Sequence, residues 1–202
     1  MRKILIITLS IVASILIASL PARAVDRETL ENLTFLLSQP GQIHWSDMEI
    51  DDATLIEGFN QIYTTAVQNG TDDIRASVIY AMGETGLVDF VPVIVGELEN
   101  DPSTACYSLG KIPSDDGAQA LIPILDNEDM FVREAAIWAL GSIPYTESMD
   151  ESKGLAKTAL QNHLESETEA WLVDLTNAAI VFIETGVATD PAFDTSIDGM
   201  ML

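Results

Sequence analysis

The chain has 202 residues, of which 48% are hydrophobic and 20% charged, so its composition supports a packed core and is not that of a disordered protein. Its 32 acidic residues outnumber nine basic ones, and the formal charge of −23 excludes nucleic-acid binding, which needs clustered lysine and arginine. Such a surface favours solubility and attracts cationic partners or divalent ions.

Residues 1–24 have the pattern of a secretory signal peptide. Arg2 and Lys3 precede an apolar run over residues 4–20, and Ala22-Arg23-Ala24 forms a small-x-small cleavage site. We therefore expect an exported protein, periplasmic or extracellular, with a formal charge of −26 once these three basic residues are removed. The alternative is an uncleaved anchor helix, because the run is only slightly shorter than the roughly 20 residues that span a bilayer.

Residues 25–52 are predicted to form an N-terminal capping helix, over residues 27–38, followed by an irregular segment. From residue 53 the apolar residues again recur three and four positions apart, which predicts a helix over residues 53–67. This helix should begin a repeat array that occupies residues 53–186.

Two segments of the array, 74–83 and 132–141, align without a gap, and a third copy lies at residues 103–110. In each copy a large aromatic residue is followed three positions later by glycine. A basic residue lies at the start of the first and last copies. The structural repeat positions are Arg75, Tyr80, Gly83, Tyr107, Gly110, Arg133, Trp138 and Gly141.

Each repeat is predicted to be a pair of helices. One is amphipathic and should end at the glycine, in the left-handed conformation of a C′ residue, with the aromatic ring buried between helices. The other carries Pro92 or Pro123, a residue suited to the first turn of a helix or to a kink. In both copies the proline precedes the glycine by 18 positions, and the period of about thirty residues is typical of solenoids.

The Leu-x-Pro start, the Val-Arg pair and the Ala-Leu-Gly end of residues 121–141 resemble HEAT repeats, particularly the short variety of phycobilisome-lyase-like proteins. The resemblance implies a right-handed, all-α solenoid of stacked antiparallel helix pairs, about five in number, whose concave face binds another polypeptide. It also implies that Arg75 and Arg133 form a ladder with acids of adjacent units.

The last part of the chain is expected to be less regular. Residues 144–154 are a polar connector, residues 155–164 and 170–183 form a final helix pair, and residues 187–202 form a loose tail. Within the tail, the segment from Asp194 to Gly199 matches the first half of a calcium loop. The chain ends before the bidentate glutamate of such a loop, so we interpret the segment as tail.

The sequence offers few groups for catalysis or metal binding. His44 and His163 are far apart and are predicted to lie on the surface. Cys106 occupies a position filled by isoleucine in the other copies and is predicted to be buried. Asp126, Glu128 and Asp129 precede a helix and should cap it. No zinc, nucleotide or hydrolase signature is present, so no catalytic, cofactor or metal residue is assigned.

These observations favour an exported, non-enzymatic scaffold or adaptor that binds another protein, needs no cofactor and, after signal cleavage, no membrane. One alternative is a chromophore-attachment or accessory protein like the lyase relatives, which export disfavours. Another is a secreted protein that binds divalent ions through its acidic surface, which a calcium titration would test.

Overall fold

The structure, a computed structural model, describes residues 25–37 and 49–193. Throughout this part of the chain the regular elements are helices, and they pack in neighbouring pairs, which confirms the predicted all-α class. The chain divides into two compact units, residues 1–85 and 86–202. The predicted signal peptide, His44 and the segment 194–199 lie outside the described residues.

The described part of the first unit contains three helices, α1 (Arg27–Leu37), α2 (Asp52–Asn69) and α3 (Asp72–Thr85). α2 and α3 form a helix pair, and α1 packs against both. Asp51 begins α2 by accepting a hydrogen bond from the backbone N–H of Thr54 at 3.0 Å. Gly70, at φ 63°, ends α2 in the left-handed conformation. The core of this unit is formed by large apolar side chains: Leu33, Phe59, Ile62, Ile79 and Met82.

The second unit contains three helix pairs. Its helices are α4 (Val91–Gly96), α5 (Pro102–Leu109), α6 (Asp115–Leu121), α7 (Met130–Ser142), α8 (Asp150–His163) and α9 (Ala170–Thr185). α7 packs against α5 on one side and α9 on the other, while α6 packs against α4 and α8. The unit therefore has two layers, one of α5, α7 and α9 and one of α4, α6 and α8. Its shorter 3-10 helices are Val88–Phe90, Ile122–Asp126, Glu147–Met149 and Pro191–Phe193.

Several helices of the second unit begin with a side-chain cap. Asp101, Ser114 and Asp129 each accept a hydrogen bond from a backbone N–H within the first turn of α5, α6 and α7, respectively. These bonds satisfy donors that have no partner within the helix. The predicted capping role is thus confirmed for Asp129. The expected place of Pro92 in a first turn is also confirmed. Pro123 instead lies in the 3-10 helix Ile122–Asp126, which directly follows α6.

The prediction that Gly83, Gly110 and Gly141 close their helices in the left-handed conformation was wrong. α3 continues past Gly83 to Thr85, α7 continues past Gly141 to Ser142, and Gly110 has a right-handed φ of −61°. Left-handed glycines do end three helices, at Gly70, Gly86 and Gly186, but all three lie outside the aligned copies. In the second unit the aligned glycines are needed for close packing instead.

Two boundaries near the C-terminus also differ from the sequence prediction. α8 begins at Asp150, so the second half of the predicted connector is helical. Its acidic residues Asp150 and Glu151 fall in the first turn, where the helix dipole favours negative charge. The start of the predicted tail is also ordered, because Phe193 is buried in the unit.

Candidate protein-binding surface

The layer formed by α5, α7 and α9 carries most of the predicted repeat residues. The rings of Tyr107 on α5 and Trp138 on α7 are in contact, with centroids 5.1 Å apart. The indole N–H of Trp138 donates to the backbone oxygen of Ala192 at 2.8 Å. Trp138 is half-buried and not fully enclosed as predicted. Its ring contacts α5, and its N–H contacts the C-terminal segment.

Gly110 and Gly141 allow close approach within this layer. A Cβ at Gly110 would lie 2.8 Å from the Cα of Ala139, so the end of α5 touches the backbone of α7. A Cβ at Gly141 would lie 2.5 Å from the ring of Phe193. These contacts explain why the aligned glycines recur although neither has a positive φ.

The remaining repeat positions, Arg75, Tyr80 and Gly83, lie on α3 in the first unit. Gly83 is buried and Tyr80 half-buried. Arg75 forms an ion pair with Asp72 of its own helix, with Nη2 and Oδ1 3.2 Å apart.

Arg133 makes the bond between successive repeats that the resemblance implied. Its Nε donates to Oε2 of Glu167 at 2.8 Å, and its Nη2 donates to Oε1 at 3.2 Å. Its Nη1 donates to the backbone oxygens of Asn127 and Glu128. One guanidinium therefore links the turn before α7 to the turn before α9.

Glu167 is the centre of this arrangement, with a side chain only 2% exposed. Besides the two bonds from Arg133, its Oε1 accepts from the backbone N–H groups of Thr168 and Glu169, at 2.8 and 2.9 Å. The donors, led by the Arg133 side chain, hold the pKa of Glu167 at about 2, against an ordinary 4.5, although burial acts in the opposite direction.

His163 lies beside Glu167, and its predicted surface position was wrong. Its side chain is 4% exposed, and its Nε2 is 3.2 Å from Oε2 of Glu167 without the geometry of a hydrogen bond. Burial is the main cause that lowers the pKa of His163 below 6.5, and the Arg133 charge adds to it, while Glu167 opposes the shift. Folding therefore favours the neutral form of this imidazole, next to an ion pair.

The predicted burial of Cys106 is confirmed, and its thiol is free. Burial raises the pKa of this thiol to about 12, so it is protonated at neutral pH and unsuited to nucleophilic attack.

Sequence reasoning did not identify Glu167 or Phe193 as important residues. Glu167 lies in the acidic run from Glu165 to Glu169, in which alternate residues are glutamate, and nothing in that run marks the buried one. Phe193 lies in a segment without helical periodicity. The repeat alignment could have suggested an acid after α8, since Arg133 needs a partner there, but not which one.

Three exposed apolar side chains lie in the first turns of α7 and α9. Met130, Phe131 and Trp171 have exposed fractions of 37%, 59% and 39%. Phe131 and Trp171 are the second residues of their helices. We call these three side chains the first-turn patch.

A cavity of about 550 Å³ in the first unit is lined by residues of α1 and of the start of α2. Two of its carboxylates, Asp26 and Asp51, accept hydrogen bonds from Thr29 and Thr54, respectively, and these bonds lower the pKa of each carboxyl. Both groups therefore cap helices.

Within residues 25–37 and 49–193, no helix has the length and apolar character needed to cross a membrane. In the same ranges, no three His, Cys, Asp or Glu side chains are grouped as metal ligands.

The stacked helix pairs, joined by a buried arginine–glutamate bond between repeats, define an α-solenoid in the second unit. Residues 97–175 match the family model for HEAT repeats, so this part of the chain consists of HEAT repeats. HEAT repeats commonly mediate protein–protein interaction. The finer resemblance to phycobilisome-lyase-like repeats stays a prediction. No curated protein and no solved structure matches the chain.

Proposed function

We propose that this chain is an exported, non-enzymatic scaffold or adaptor that binds another protein. The observation that carries the proposal is the HEAT-repeat segment, residues 97–175, whose stacked helices present a long adjustable surface. The exposed Met130, Phe131 and Trp171 of that segment are residue types that are enriched at protein interfaces, which favours a protein partner.

The roles of the buried charged groups support a non-enzymatic function. Arg133 and Glu167 are engaged with each other and with backbone groups of two turns. Their charges thus hold the repeats together. The N-terminal sequence supports export, because a basic start, an apolar run and an Ala-x-Ala site are the three parts of a secretory signal.

The test is affinity capture of the full chain, tagged at its C-terminus, from the exported fraction of its host. Mass spectrometry should identify a partner at reproducible stoichiometry and an N-terminus at Val25. A matched form without residues 4–20 should remain inside the cell and fail to capture that partner. A purified protein that retains Met1, or a turnover activity that survives repurification, would contradict the proposal.

A further inference from the structure

We propose that the first-turn patch docks a basic, amphipathic segment of the partner protein. This inference rests on the proposed scaffold function and specifies the chemistry of what the scaffold binds. It is drawn from three observations on the second unit: the exposure of the patch, the alignment of the two helix starts that carry it, and the charges around it.

Three of the exposed large apolar side chains of the second unit lie in the first turns of two adjacent helices. Phe131 and Trp171 are both at the second position of a helix, and Met130 extends the patch by one residue. Trp and Phe anchors contribute much of the binding energy at protein interfaces, because their rings bury a large area at little entropic cost.

The buried ion pair brings the two helix starts to the same end of the layer. Arg133, in the first turn of α7, bonds Glu167, three residues before α9 begins. Adjacent packed helices have axes about 8 to 10 Å apart. The rings of Phe131 and Trp171 therefore lie on neighbouring helices at the same end of the layer, where one amphipathic helix can contact both.

The charges around the patch select a basic partner. Residues 126–134 and 164–174 together contain eight acidic residues and one basic residue, Arg133. Glu167 neutralises that arginine. The carboxylates of Glu128, Glu165 and Glu169 are exposed, so the rim of the patch is negative. A helix with apolar residues on one face and lysine or arginine beside them complements both features.

The experiment measures peptide binding to the purified chain by fluorescence anisotropy. The probe is a labelled amphipathic peptide of lysine and leucine, of about 18 residues, or five helical turns. A scrambled peptide of the same composition, without an apolar face, is its control. We expect the amphipathic peptide to bind, with an affinity that falls as salt is added, and the scrambled peptide to bind much more weakly.

Two double variants locate the binding site. Phe131→Ala/Trp171→Ala should weaken binding about tenfold or more, because it removes both anchors without changing any charge. Val88→Ala/Leu155→Ala is the matched control, since it removes two exposed apolar side chains elsewhere in the same unit. It should bind as the wild type does. All four substitutions are at exposed positions, and circular dichroism melting should show both variants folded.

A third variant, Glu128→Gln/Glu169→Gln, removes rim charge and leaves the anchors in place. It should weaken binding severalfold and reduce its dependence on salt. The proposal is overturned if Phe131→Ala/Trp171→Ala binds as tightly as the wild type, if the Val88/Leu155 control weakens binding equally, or if the scrambled peptide binds as well as the amphipathic one.

Capture from the host separates this inference from the proposed function. If the wild type captures a partner and Phe131→Ala/Trp171→Ala captures the same amount, the scaffold function is supported. The proposal that the first-turn patch docks the partner is then wrong. If the wild type captures no partner but the purified chain binds the amphipathic peptide selectively at the first-turn patch, the scaffold proposal fails. The proposal that this patch binds basic, amphipathic segments is then still supported.

Discussion

At the scale of single residues, the buried pair of Arg133 and Glu167 has the largest expected effect on stability. Glu167→Gln keeps the shape of the side chain but leaves the guanidinium, 15% exposed, without a counter-charge. We expect a loss of about 2 to 3 kcal/mol, somewhat less than for a deeply buried pair. Chemical denaturation measures it.

The matched control is Glu184→Gln. Glu184 also pairs with a basic residue, Lys157, at 3.1 Å, but these side chains are 47% and 37% exposed, respectively. Its removal should cost less than about 0.5 kcal/mol. Equal losses for the two substitutions would show that the Glu167 pair is no stronger than a surface pair.

The same cluster predicts how stability depends on pH. A group whose pKa is lowered on folding stabilises the protein above its unfolded pKa and loses that contribution as pH falls. For His163 the loss begins near pH 6.5, and for Glu167 it runs from about 4.5 down to about 2. The groups that act on His163 are Glu167, Arg133 and Asp126.

The variant His163→Gln separates the loss of stability caused by His163 from the loss caused by Glu167. Its stability should change less between pH 7 and 5 than that of the wild type, while the loss at lower pH remains. Urea denaturation across this range measures the difference. An unchanged slope above pH 5 would mean that His163 is as readily protonated in the folded protein as in the unfolded one.

At the scale of helices, the contact between α5 and α7 depends on Gly110. Gly110→Ala would place a methyl group 2.8 Å from the Cα of Ala139, and backbone cannot move aside easily. We expect a cost of about 1 to 3 kcal/mol, as for other overpacked sites. Thermal denaturation tests it.

Gly154→Ala provides the comparison. Gly154 lies within α8, and a Cβ there would have no neighbour within 4 Å. Alanine should stabilise that helix by about 0.5 to 1 kcal/mol. If Gly110→Ala were also stabilising, the result would contradict the close packing of α5 on α7.

Trp138 joins three elements of the second unit. Trp138→Ala removes the ring contact with Tyr107 and the hydrogen bond to Ala192. We expect a loss of about 2 to 3 kcal/mol, since the ring is half-buried and a fully buried one costs 3 to 5. Trp138→Phe keeps a ring and loses the hydrogen bond, so it should cost about 1 kcal/mol. A loss below 1 kcal/mol for the alanine variant would contradict the contacts of the ring.

At the scale of the whole molecule, the formal charge of −23 works against compactness. Self-repulsion among acidic groups destabilises a folded chain and is screened by salt, since the Debye length falls from about 30 Å at 0.01 M to about 8 Å at 0.15 M. We expect Tm to rise over this range by about 2 to 4 °C, which corresponds to about 1 kcal/mol. A fall in Tm would show that attractive ion pairs outweigh the repulsion.

The sequence by itself determined the helical class, the repeats and the beginnings of some helices. These follow from local rules: the spacing of apolar residues selects the helix, and Asp129 caps α7 through a bond to its own first turn. The need of Arg133 for an acid in the adjacent repeat could also be predicted, through the resemblance to HEAT repeats.

Only the tertiary structure decided which glutamate pairs with Arg133, that His163 is buried, and why glycine recurs at residues 110 and 141. Glu165, Glu167 and Glu169 are alike in sequence, and only the packing of α7 against α9 places one of them within reach of the guanidinium. The aligned glycines suggest helix ends, yet they allow close packing: Gly110 packs against Ala139, and Gly141 packs against Phe193. Local sequence specifies conformation, but burial and pairing depend on residues distant in the chain.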